Sequence, residues 1–224
     1  MRSRDEHRAF LARNTTRARV PLVPELTVRV AAEVTPLWHA TEAWLAEAGL
    51  EPPFWAFPWA GGQALARFVL DTPASVAGRA VVDFASGSGL VAMAAARAGA
   101  RTVLALDVDP LAESAARQNA EDNALALSFE TSDRVGESLP GVDVVLAGDV
   151  FYDPRDAPRF VDWFRMLARG GVRVLVGDPG RAYAPREGVR VLRELDVPVP
   201  EELEGRRSLR ARVLEVLGST DTSA

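Results

Sequence analysis

From residue 79 onward the sequence alternates between short apolar runs and longer segments rich in alanine or patterned as amphipathic helices. This alternation constrains the fold more than any other feature. Short continuous apolar runs are typical of strands covered on both faces. Segments that begin at a proline or end at a glycine are typical of helices. Strands that alternate with helices form a mostly parallel sheet with helices on both faces, so we predict a doubly wound α/β fold.

The predicted elements extend over most of the chain. The strands are expected at residues 80–85, 102–106, 126–131, 142–147, 172–176, 189–195 and 209–217. The helices are expected at residues 36–48, 63–70, 90–98, 110–123 and 157–168. The last two strands follow each other without an obvious helix, which predicts an antiparallel pair at one edge. Residues 20–36 hold three prolines and are expected to form an extended arm.

Composition excludes several chemistries. All 26 basic residues are arginine, and the chain contains neither lysine nor cysteine. The missing lysine excludes a P-loop and a Schiff-base nucleophile. The missing cysteine excludes thiol catalysis, thiolate metal sites and disulfides, and we predict no metal site. The formal net charge of −5 argues against broad nucleic-acid binding.

The amino-terminal segment is rich in arginine. Residues 1–20 carry six arginines against Asp5 and Glu6, and we expect a solvated tail there. A mitochondrial presequence and a partner-binding arm are the alternatives. The segment lacks the apolar core of a secretory signal. No apolar run approaches the roughly 20 residues that a membrane span needs, so no membrane association is expected.

A glycine turn follows the first strand of the alternating region. The run Asp83-Phe-Ala85-Ser-Gly87-Ser-Gly89 stands between a strand and a helix. Glycines there let a ligand approach the backbone. Asp107 ends the next strand, where a carboxylate can accept both hydroxyls of a ribose. The pattern therefore predicts a nucleoside ligand.

Two nucleoside cofactors are compatible with such a turn. Gly87-x-Gly89-x-x-Ala92 also fits the dinucleotide pattern of a dehydrogenase. However, Asp83 stands directly before the turn and would repel a pyrophosphate, whereas it would attract an amine or a sulfonium. Neither histidine, His7 or His39, lies near the turn in sequence to serve in hydride transfer. S-adenosylmethionine fits these residues better.

Residues 83–89 resemble motif I of the seven-β-strand, or class I, methyltransferases, which have a Rossmann-like fold. The resemblance implies cofactor binding by Asp83, Ala85, Gly87 and Gly89, with Asp107 on the ribose. Ala85 stands where the family usually has its first glycine and is expected only to crowd the turn. Asp133, after the third strand, would bond the adenine amino group or be a surface residue of a polar loop. Residues 1–75 would form an amino-terminal arm, helix and lid, and residues 76–224 the core, within one structural domain.

A second motif follows the fourth strand. Asp149 and Tyr152 form an Asp-x-x-Tyr unit that resembles the acceptor-side motif of a subgroup of protein-lysine methyltransferases. The run from Pro53 to Leu65, with its Trp-Ala-Gly-Gly-Gln, and residues 177–181 resemble the lysine methyltransferases that act on the β subunit of electron transfer flavoprotein. The resemblance implies methyl transfer to a protein lysine, with S-adenosylhomocysteine as product.

The resemblance also assigns roles to single residues. Asp149 would hold the incoming amine by a charge-assisted hydrogen bond, and Tyr152 would pack against the amine or bond it. Trp59 and Gly61 would contact the cofactor from an aromatic lid, which could instead be plain core. Asp178-Pro179-Gly180 would shape the substrate groove or simply form a turn.

The implied partner is the electron transfer flavoprotein β subunit. We expect a monomer in the bacterial cytoplasm, or in the mitochondrial matrix if the source is eukaryotic. Three alternatives stay open. The same fold could methylate a ribosomal protein or a small molecule, or it could bind cofactor without transferring the methyl group. A dehydrogenase is the third.

Overall fold

The computed structural model describes residues 4–31 and 53–218. In chain order its helices and strands are α1 (Arg4–Asn14), β1 (Thr15–Val20), β2 (Val23–Ala31), α2 (Ala60–Asp71), β3 (Ala80–Phe84), α3 (Leu90–Arg97), β4 (Thr102–Asp107), α4 (Pro110–Asp122), β5 (Ser128–Thr131), β6 (Val144–Gly148), α5 (Asp156–Arg169), β7 (Arg173–Asp178), β8 (Val189–Pro198), α6 (Glu201–Glu204) and β9 (Ser208–Val216). Short 3₁₀ turns cover Phe54–Ala56 and Pro73–Ser75. The helix expected at residues 36–48 lies outside the described residues.

The central sheet has seven strands in the order β5-β4-β3-β6-β7-β9-β8. The strands from β3 to β7 pair in parallel, whereas β9 runs antiparallel between β7 and β8. All seven predicted strands are confirmed within a few residues, as is the antiparallel pair at one edge. The predicted doubly wound, mostly parallel fold is therefore confirmed.

Alternate residues of the central strands pack on opposite faces of the sheet. Val144 and Leu146 of β6 join a cluster with α2 and α3 on one face. Val145 and Ala147 join a cluster with α5 on the other, where Phe164 is fully buried. Because successive strand side chains point to opposite faces, both faces need apolar residues, and this explains the continuous apolar runs.

Two helical segments differ from the prediction. α2 begins at Ala60 rather than Gln63, and Gly61 and Gly62 lie in its first turn. The one-turn helix α6 lies between β8 and β9, where no helix was expected. Since α2 packs in the same cluster as the central strands, it forms part of the main core. The domain division at residue 75 stays a prediction.

The expected solvated tail at the amino terminus is wrong over its described part. α1 packs on α4, and Leu11 is fully buried in a cluster with Trp55, Leu111 and Ala115. A hydrogen bond of 3.0 Å joins His7 Nδ1 to Ser114 Oγ. His7 and Leu11 are four residues apart and so share one face of the helix. The many arginines of this segment gave no indication of this apolar contact.

The expected extended arm is confirmed as a β-hairpin over the part of residues 20–36 that the structure describes. β1 and β2 pair antiparallel, and β2 is tied to α4 by two asparagines. Asn119 Oδ1 accepts from the Arg29 N–H at 2.8 Å, and Asn123 Oδ1 accepts from the Thr27 N–H at 3.0 Å. These amides satisfy N–H groups of β2, as a further strand would.

Neither a membrane-spanning helix nor a cluster of metal ligands occurs among the residues that the structure describes. Among residues 4–31 and 53–218, no helix combines the length and apolar character that a bilayer crossing requires. In the same ranges, no three histidine or acidic side chains are grouped as metal ligands.

Candidate active site

The carboxyl ends of β4, β3, β6 and β7 lie side by side and carry most of the predicted site residues. In open α/β sheets, ligands bind at this edge. We call the β3–β4 side, with Asp83 and Asp107, the cofactor half. We call the β6–β7 side, with Asp149, the acceptor half. The sheet thus brings the predicted carboxylates Asp83, Asp107 and Asp149 to one edge.

Asp83 lies at the base of the glycine turn and is almost completely buried. Its Oδ2 accepts a hydrogen bond of 2.8 Å from the Ala92 N–H in the first turn of α3. Burial raises the pKa of the Asp83 carboxyl well above its usual range, and the Ala92 N–H only partly opposes this. A cation placed beside Asp83 would favour the ionised form again.

The turn itself uses the left-handed backbone region three times. Gly87 and Gly89 have φ of +49° and +74°, and Ala85 has φ of +52°. A Cβ at Gly89 would lie 2.8 Å from Ala116 Cβ, so this glycine also permits α4 to pack against the turn. Crowding is therefore not the only consequence of alanine at Ala85, because its backbone conformation costs free energy for any residue with a Cβ.

Asp107 ends β4 and faces the turn. Its Oδ2 accepts from the Gly87 N–H at 2.8 Å and its Oδ1 accepts from the Asp109 N–H at 3.1 Å. Burial raises the pKa of Asp107, and these N–H donors oppose the change. Each carboxylate oxygen retains a second lone pair for an incoming hydroxyl.

The donor set of the cofactor half fits S-adenosylmethionine. Two carboxylates, Asp83 and Asp107, flank the turn. Gly87 leaves space for a ligand, because among the described residues the only neighbour within 4 Å of a Cβ built there is Trp55 Cα, at 3.6 Å. A ligand with ribose hydroxyls and an amino group complements Asp107 and Asp83. A pyrophosphate would bring negative charge beside the same carboxylates.

Asp133 is exposed in the loop after β5. Its Oδ1 accepts from the Val135 N–H at 3.0 Å, and its Oδ2 pairs with Arg159 Nη2 of α5 at 3.2 Å. The structure thus gives Asp133 a role in tying the loop to α5. Its contact with the adenine stays a prediction.

Asp149 follows β6 and is only 5% exposed, with φ of +63°. Its Oδ2 accepts from the Gly61 N–H at 2.9 Å, and its Oδ1 accepts from Arg181 Nε at 2.5 Å. Its own N–H donates to the Gly177 carbonyl at 2.8 Å. Burial raises the pKa of Asp149, and the Arg181 guanidinium opposes this. A left-handed aspartate held by three bonds is typical of a strained functional position.

The Gly61-Gly62 pair is explained by a close crossing of α2 over β6 and β7. A Cβ at Gly61 would lie 2.3 Å from the Gly177 carbonyl oxygen, and a Cβ at Gly148 would lie 2.7 Å from Gly62 Cα. This approach lets the Gly61 N–H at the amino end of α2 reach Asp149, where the helix dipole favours negative charge. The predicted contact of Gly61 with the cofactor stays a prediction.

The aromatic segment divides into buried and exposed rings. Trp55 is buried in the cluster beneath α1, as the core interpretation expects. Phe54 and Tyr152 are exposed, with ring centroids 5.2 Å apart, and Trp59 donates from Nε1 to the Phe54 carbonyl at 2.8 Å. Phe54, Trp59 and Tyr152 therefore form a contiguous set of rings, the aromatic wall, and the guanidinium of Arg181, the partner of Asp149, lies 5.9 Å from the centre of the Trp59 ring. Contact of Trp59 with the cofactor stays a prediction.

Tyr152 lies where both halves influence its phenol. Partial desolvation of the phenol, together with the charges of Asp107, Asp153, Asp156 and Asp149, raises the pKa of Tyr152. The phenol therefore keeps its proton near neutral pH and can donate a hydrogen bond to a ligand.

Arg181 and Glu204 are functional candidates to which the sequence assigned no individual role. Asp178 was expected to shape the substrate groove or to form a turn; the structure shows the turn, and the groove stays a prediction. Arg181 donates to Glu204 from Nη2 at 2.8 Å and from Nη1 at 3.2 Å, in addition to its bond with Asp149. Asp178, fully buried at the end of β7, accepts from the N–H groups of Gly180 and Arg181. The arginine after the Asp-Pro-Gly turn was the available signal. Glu204 had no local signal, because it is distant in sequence.

Comparisons with known proteins agree with this architecture. A model of the family "Ribosomal protein L11 methyltransferase (PrmA)" matches residues 64–149. A Thermoplasma acidophilum structure has a TM-score of 0.54 at 20% identity, covering 71% of this chain and 91% of its own. The Pyrococcus abyssi tRNA (uracil-54, C5)-methyltransferase, in complex with S-adenosyl-L-homocysteine, has a TM-score of 0.55 at 17% identity, covering 91% and 44%. The structural likenesses at this identity show the fold.

Curated relatives resemble the chain more closely in sequence. The Xenopus laevis electron transfer flavoprotein beta subunit lysine methyltransferase is 39% identical over 178 residues, covering 78% of this chain and 71% of its own length. The Mus musculus protein of the same name is 36% identical over 208 residues, covering 88% and 79%.

The fold and the two-carboxylate site therefore define a class I methyltransferase, with S-adenosylmethionine as its cofactor. Within that class, the chain belongs to the electron transfer flavoprotein beta subunit lysine methyltransferase family. The predicted resemblance and the predicted cofactor are both confirmed.

Proposed function

We propose that this chain is a protein-lysine N-methyltransferase that acts on the electron transfer flavoprotein β subunit. The observation that carries the proposal is the placement of Asp149. This buried carboxylate lies at the carboxyl end of β6, three residues before the exposed Tyr152, whose ring contacts Phe54, and on the same edge of the sheet as the cofactor half. Family membership supports lysine on that protein as the acceptor.

The cofactor half positions the methyl donor. Asp107 would accept the ribose hydroxyls and Asp83 would face the amino group, while the backbone of Gly87 allows close approach. When bound, S-adenosylmethionine supplies an electrophilic methyl group on a sulfonium. Positioning of the two reactants contributes much of the barrier reduction in such an in-line displacement.

The acceptor half receives the lysine amine. Asp149 accepts a charge-assisted hydrogen bond from the ammonium or amine and so aims its nitrogen at the cofactor half. The rings of Phe54 and Tyr152, 5.2 Å apart, offer an apolar surface to the lysine methylenes and reduce their contact with water. The wall thereby favours the neutral amine over the ammonium.

The amine must lose a proton before it attacks. Free lysine has a pKa of about 10.4. An apolar wall disfavours the charged ammonium and lowers that pKa, as does the positive charge of the methyl donor. The proton can leave to solvent, since the wall is open on the Tyr152 side, where the residue is 51% exposed. Asp149 is thus needed for orientation, and general-base action by Asp149 is not required.

Methylation of ribosomal protein L11 is the second candidate, because that family's model matches residues 64–149. The match ends at Asp149 and leaves out Tyr152, Arg181 and Glu204. The mouse flavoprotein-subunit relative covers 88% of this chain, a share that necessarily extends past Arg181. The acceptor half therefore favours the flavoprotein subunit.

The test is methyl transfer with purified components. The chain is incubated with S-adenosylmethionine carrying a labelled methyl group and with the electron transfer flavoprotein β subunit from the same source, and the label is located by mass spectrometry. We expect label on lysine of the β subunit. Because the chain has no lysine, it cannot methylate a lysine of its own.

The experiment has two controls. A β subunit with its lysines changed to arginine should take up no label, and L11 from the same source should remain unlabelled. Label on L11, RNA or a small metabolite in a cell lysate, with none on the β subunit, would overturn the proposal. Binding of NAD(H) but not S-adenosylmethionine in calorimetry would overturn the enzyme class.

A further inference from the structure

Arg181 connects two acidic groups that come from separate parts of the fold. Its Nε donates to Asp149 after β6, at 2.5 Å, while its Nη2 and Nη1 donate to Glu204 of α6, at 2.8 and 3.2 Å. Both Glu204 oxygens and one Asp149 oxygen are thereby bound by a single guanidinium. Such fork geometry fixes orientation as well as charge, which a point-charge ammonium does less well.

The backbone of Arg181 is itself fixed. Asp178, which is fully buried, accepts with Oδ1 from the Gly180 N–H at 2.7 Å and from the Arg181 N–H at 3.2 Å. Gly180 takes a φ of +89°, as this tight turn requires. The arginine therefore approaches Asp149 from a preorganised turn at the end of β7, and its side chain is only 24% exposed.

The charges at this point do not balance within the chain. Asp149 and Glu204 share the one guanidinium of Arg181, and the nearby third carboxyl, Asp178, has Arg212 as the cation that acts on it. An isolated buried carboxylate is costly, so Asp149 needs either a cation or a proton. Only the carboxylate form gives the charge-assisted bond to an incoming lysine amine.

We propose that Arg181 is a positioning residue for methyl transfer, which orients the Asp149 carboxylate and keeps it charged for the amine of the substrate. This rests on the proposed function, in which Asp149 receives that amine. Arg181 touches neither the cofactor nor the substrate in this role, and it acts through Asp149.

The electrostatic surroundings give the direction of the effect. The groups that face Asp149 are the Gly61 N–H from α2, Arg181 from the loop after β7, Asp178 from the end of β7, Glu204 from α6 and Tyr152 from its own loop. Burial raises the pKa of Asp149, and Glu204 raises it further. Arg181 and the Gly61 N–H lower it. Without Arg181, the pKa of Asp149 must therefore rise.

The test compares Arg181→Met, which keeps the length of the side chain without its charge, with the conservative Arg181→Lys. The matched control is Arg173→Met at the amino end of β7. Arg173 is similarly half-buried, at 29% exposed, and is paired with Glu215. The ionisation of Asp149 is followed by carbon NMR of its carboxyl group, assigned by loss of the signal in Asp149→Asn. Calorimetry and urea unfolding check cofactor binding and folding.

We expect Arg181→Met to raise the pKa of Asp149 above its wild-type value. The pH at which methyl transfer is half-maximal should rise by the same shift that NMR measures for Asp149, since the ionised form of Asp149 is the active one. Arg181→Lys keeps the charge without the fork, so the titration of Asp149 should stay closer to the wild type than in Arg181→Met, while the transfer rate should be restored only in part. Arg173→Met should change neither the titration nor the rate, and the dissociation constant for S-adenosylmethionine should hold in every variant.

An Asp149 titration that is unchanged in Arg181→Met would overturn the proposal. So would a lower KM for the β subunit in that variant, because Arg181 would then compete with the substrate amine. If Arg181→Met does not fold, Arg181→Gln replaces it. The NMR titration needs no turnover, so wild-type protein that fails to methylate the β subunit refutes the proposed function separately from the effect of Arg181 on Asp149.

Discussion

The cofactor half and the acceptor half hold their carboxylates by different means. Asp83 and Asp107 accept from the backbone N–H groups of Ala92, Gly87 and Asp109. Asp149 accepts from one backbone N–H and from the side chain of Arg181. The donors of the cofactor half come from neighbouring segments of the chain, whereas those of the acceptor half come from α2 and from the loop after β7.

This difference shows how one scaffold can retain its cofactor while its acceptor varies. Backbone donors belong to the turn geometry and remain when side chains change. A side-chain ion pair can be changed by one substitution. We therefore expect the cofactor half, with its backbone donors, to change less under substitution than the acceptor half. Specificity for the acceptor is set where side chains of distant segments meet.

We expect the largest effect on stability from a substitution at Gly61, where α2 crosses β6 and β7 closely. In Gly61→Ala, the new Cβ would lie 2.3 Å from the Gly177 carbonyl oxygen and 2.8 Å from the Asp149 nitrogen. Because both neighbours are backbone atoms, we expect urea unfolding to show a loss of about 3 kcal/mol in stability.

The adjacent glycine is the matched control for this change. In Gly62→Ala, the Cβ would meet only Val91 Cγ2, at 4.0 Å. It should be neutral, or stabilising by up to about 1 kcal/mol, because alanine favours the helix. Equal effects of the two substitutions would refute a close crossing at Gly61.

Asp107→Asn tests the cofactor half alone. The amide keeps one acceptor oxygen but loses the charge and one of the two backbone bonds. We expect affinity for S-adenosylmethionine to fall about tenfold, equivalent to about 1.4 kcal/mol, with kcat unchanged at saturating cofactor.

Asp143→Asn is its control. Asp143 also accepts a backbone N–H, from Ala80 at 2.7 Å, but at the opposite end of β3. The affinity of the Asp143→Asn variant for S-adenosylmethionine should match that of the wild type. A drop in kcat for Asp107→Asn at saturating cofactor would show that the two halves do not act separately.

Ala85→Gly gives the smallest expected effect. Because Ala85 has φ of +52°, glycine should relieve strain and raise the free energy of unfolding by about 0.5–1 kcal/mol. Ala124→Gly, at φ of +55° and far from the turn, should stabilise the protein similarly. Calorimetry should detect changed cofactor affinity only for Ala85→Gly. Destabilisation by both substitutions would mean that neither backbone is strained.

The same contrast explains what could be predicted from sequence. The cofactor half was predictable because Asp83, the glycines and Asp107 lie within one β-α-β unit, where spacing fixes geometry. Asp149 and Tyr152 were predictable because they follow a strand that ends at the same edge. Arg181 and Glu204 were not, since their meeting depends on how β7, β8 and α6 are placed in three dimensions.

The prediction for the amino-terminal segment was wrong for a related reason. The arginines of the segment suggested a solvated tail, but Arg4, Arg8 and Arg13 are exposed on α1, and Leu11 packs in a cluster with residues of α4. Periodicity over such a short helix is weak evidence, and the residues that complete the contact, Leu111 and Ala115, are distant in sequence. Similarly, the sequence placed the start of α2 at Gln63 rather than Ala60, because the strands that Gly61 and Gly62 cross are not visible locally.

The most direct test of this account is Asp149→Asn. Asparagine tolerates the left-handed backbone at φ of +63° and keeps the size of the side chain, so it removes mainly the charge. Cofactor affinity is measured by calorimetry, and methyl transfer to the β subunit is measured in a single turnover at saturating cofactor. We predict an unchanged dissociation constant and a transfer rate at least about 100-fold lower. An unchanged transfer rate would contradict the role of Asp149 and, with it, the acceptor half as described.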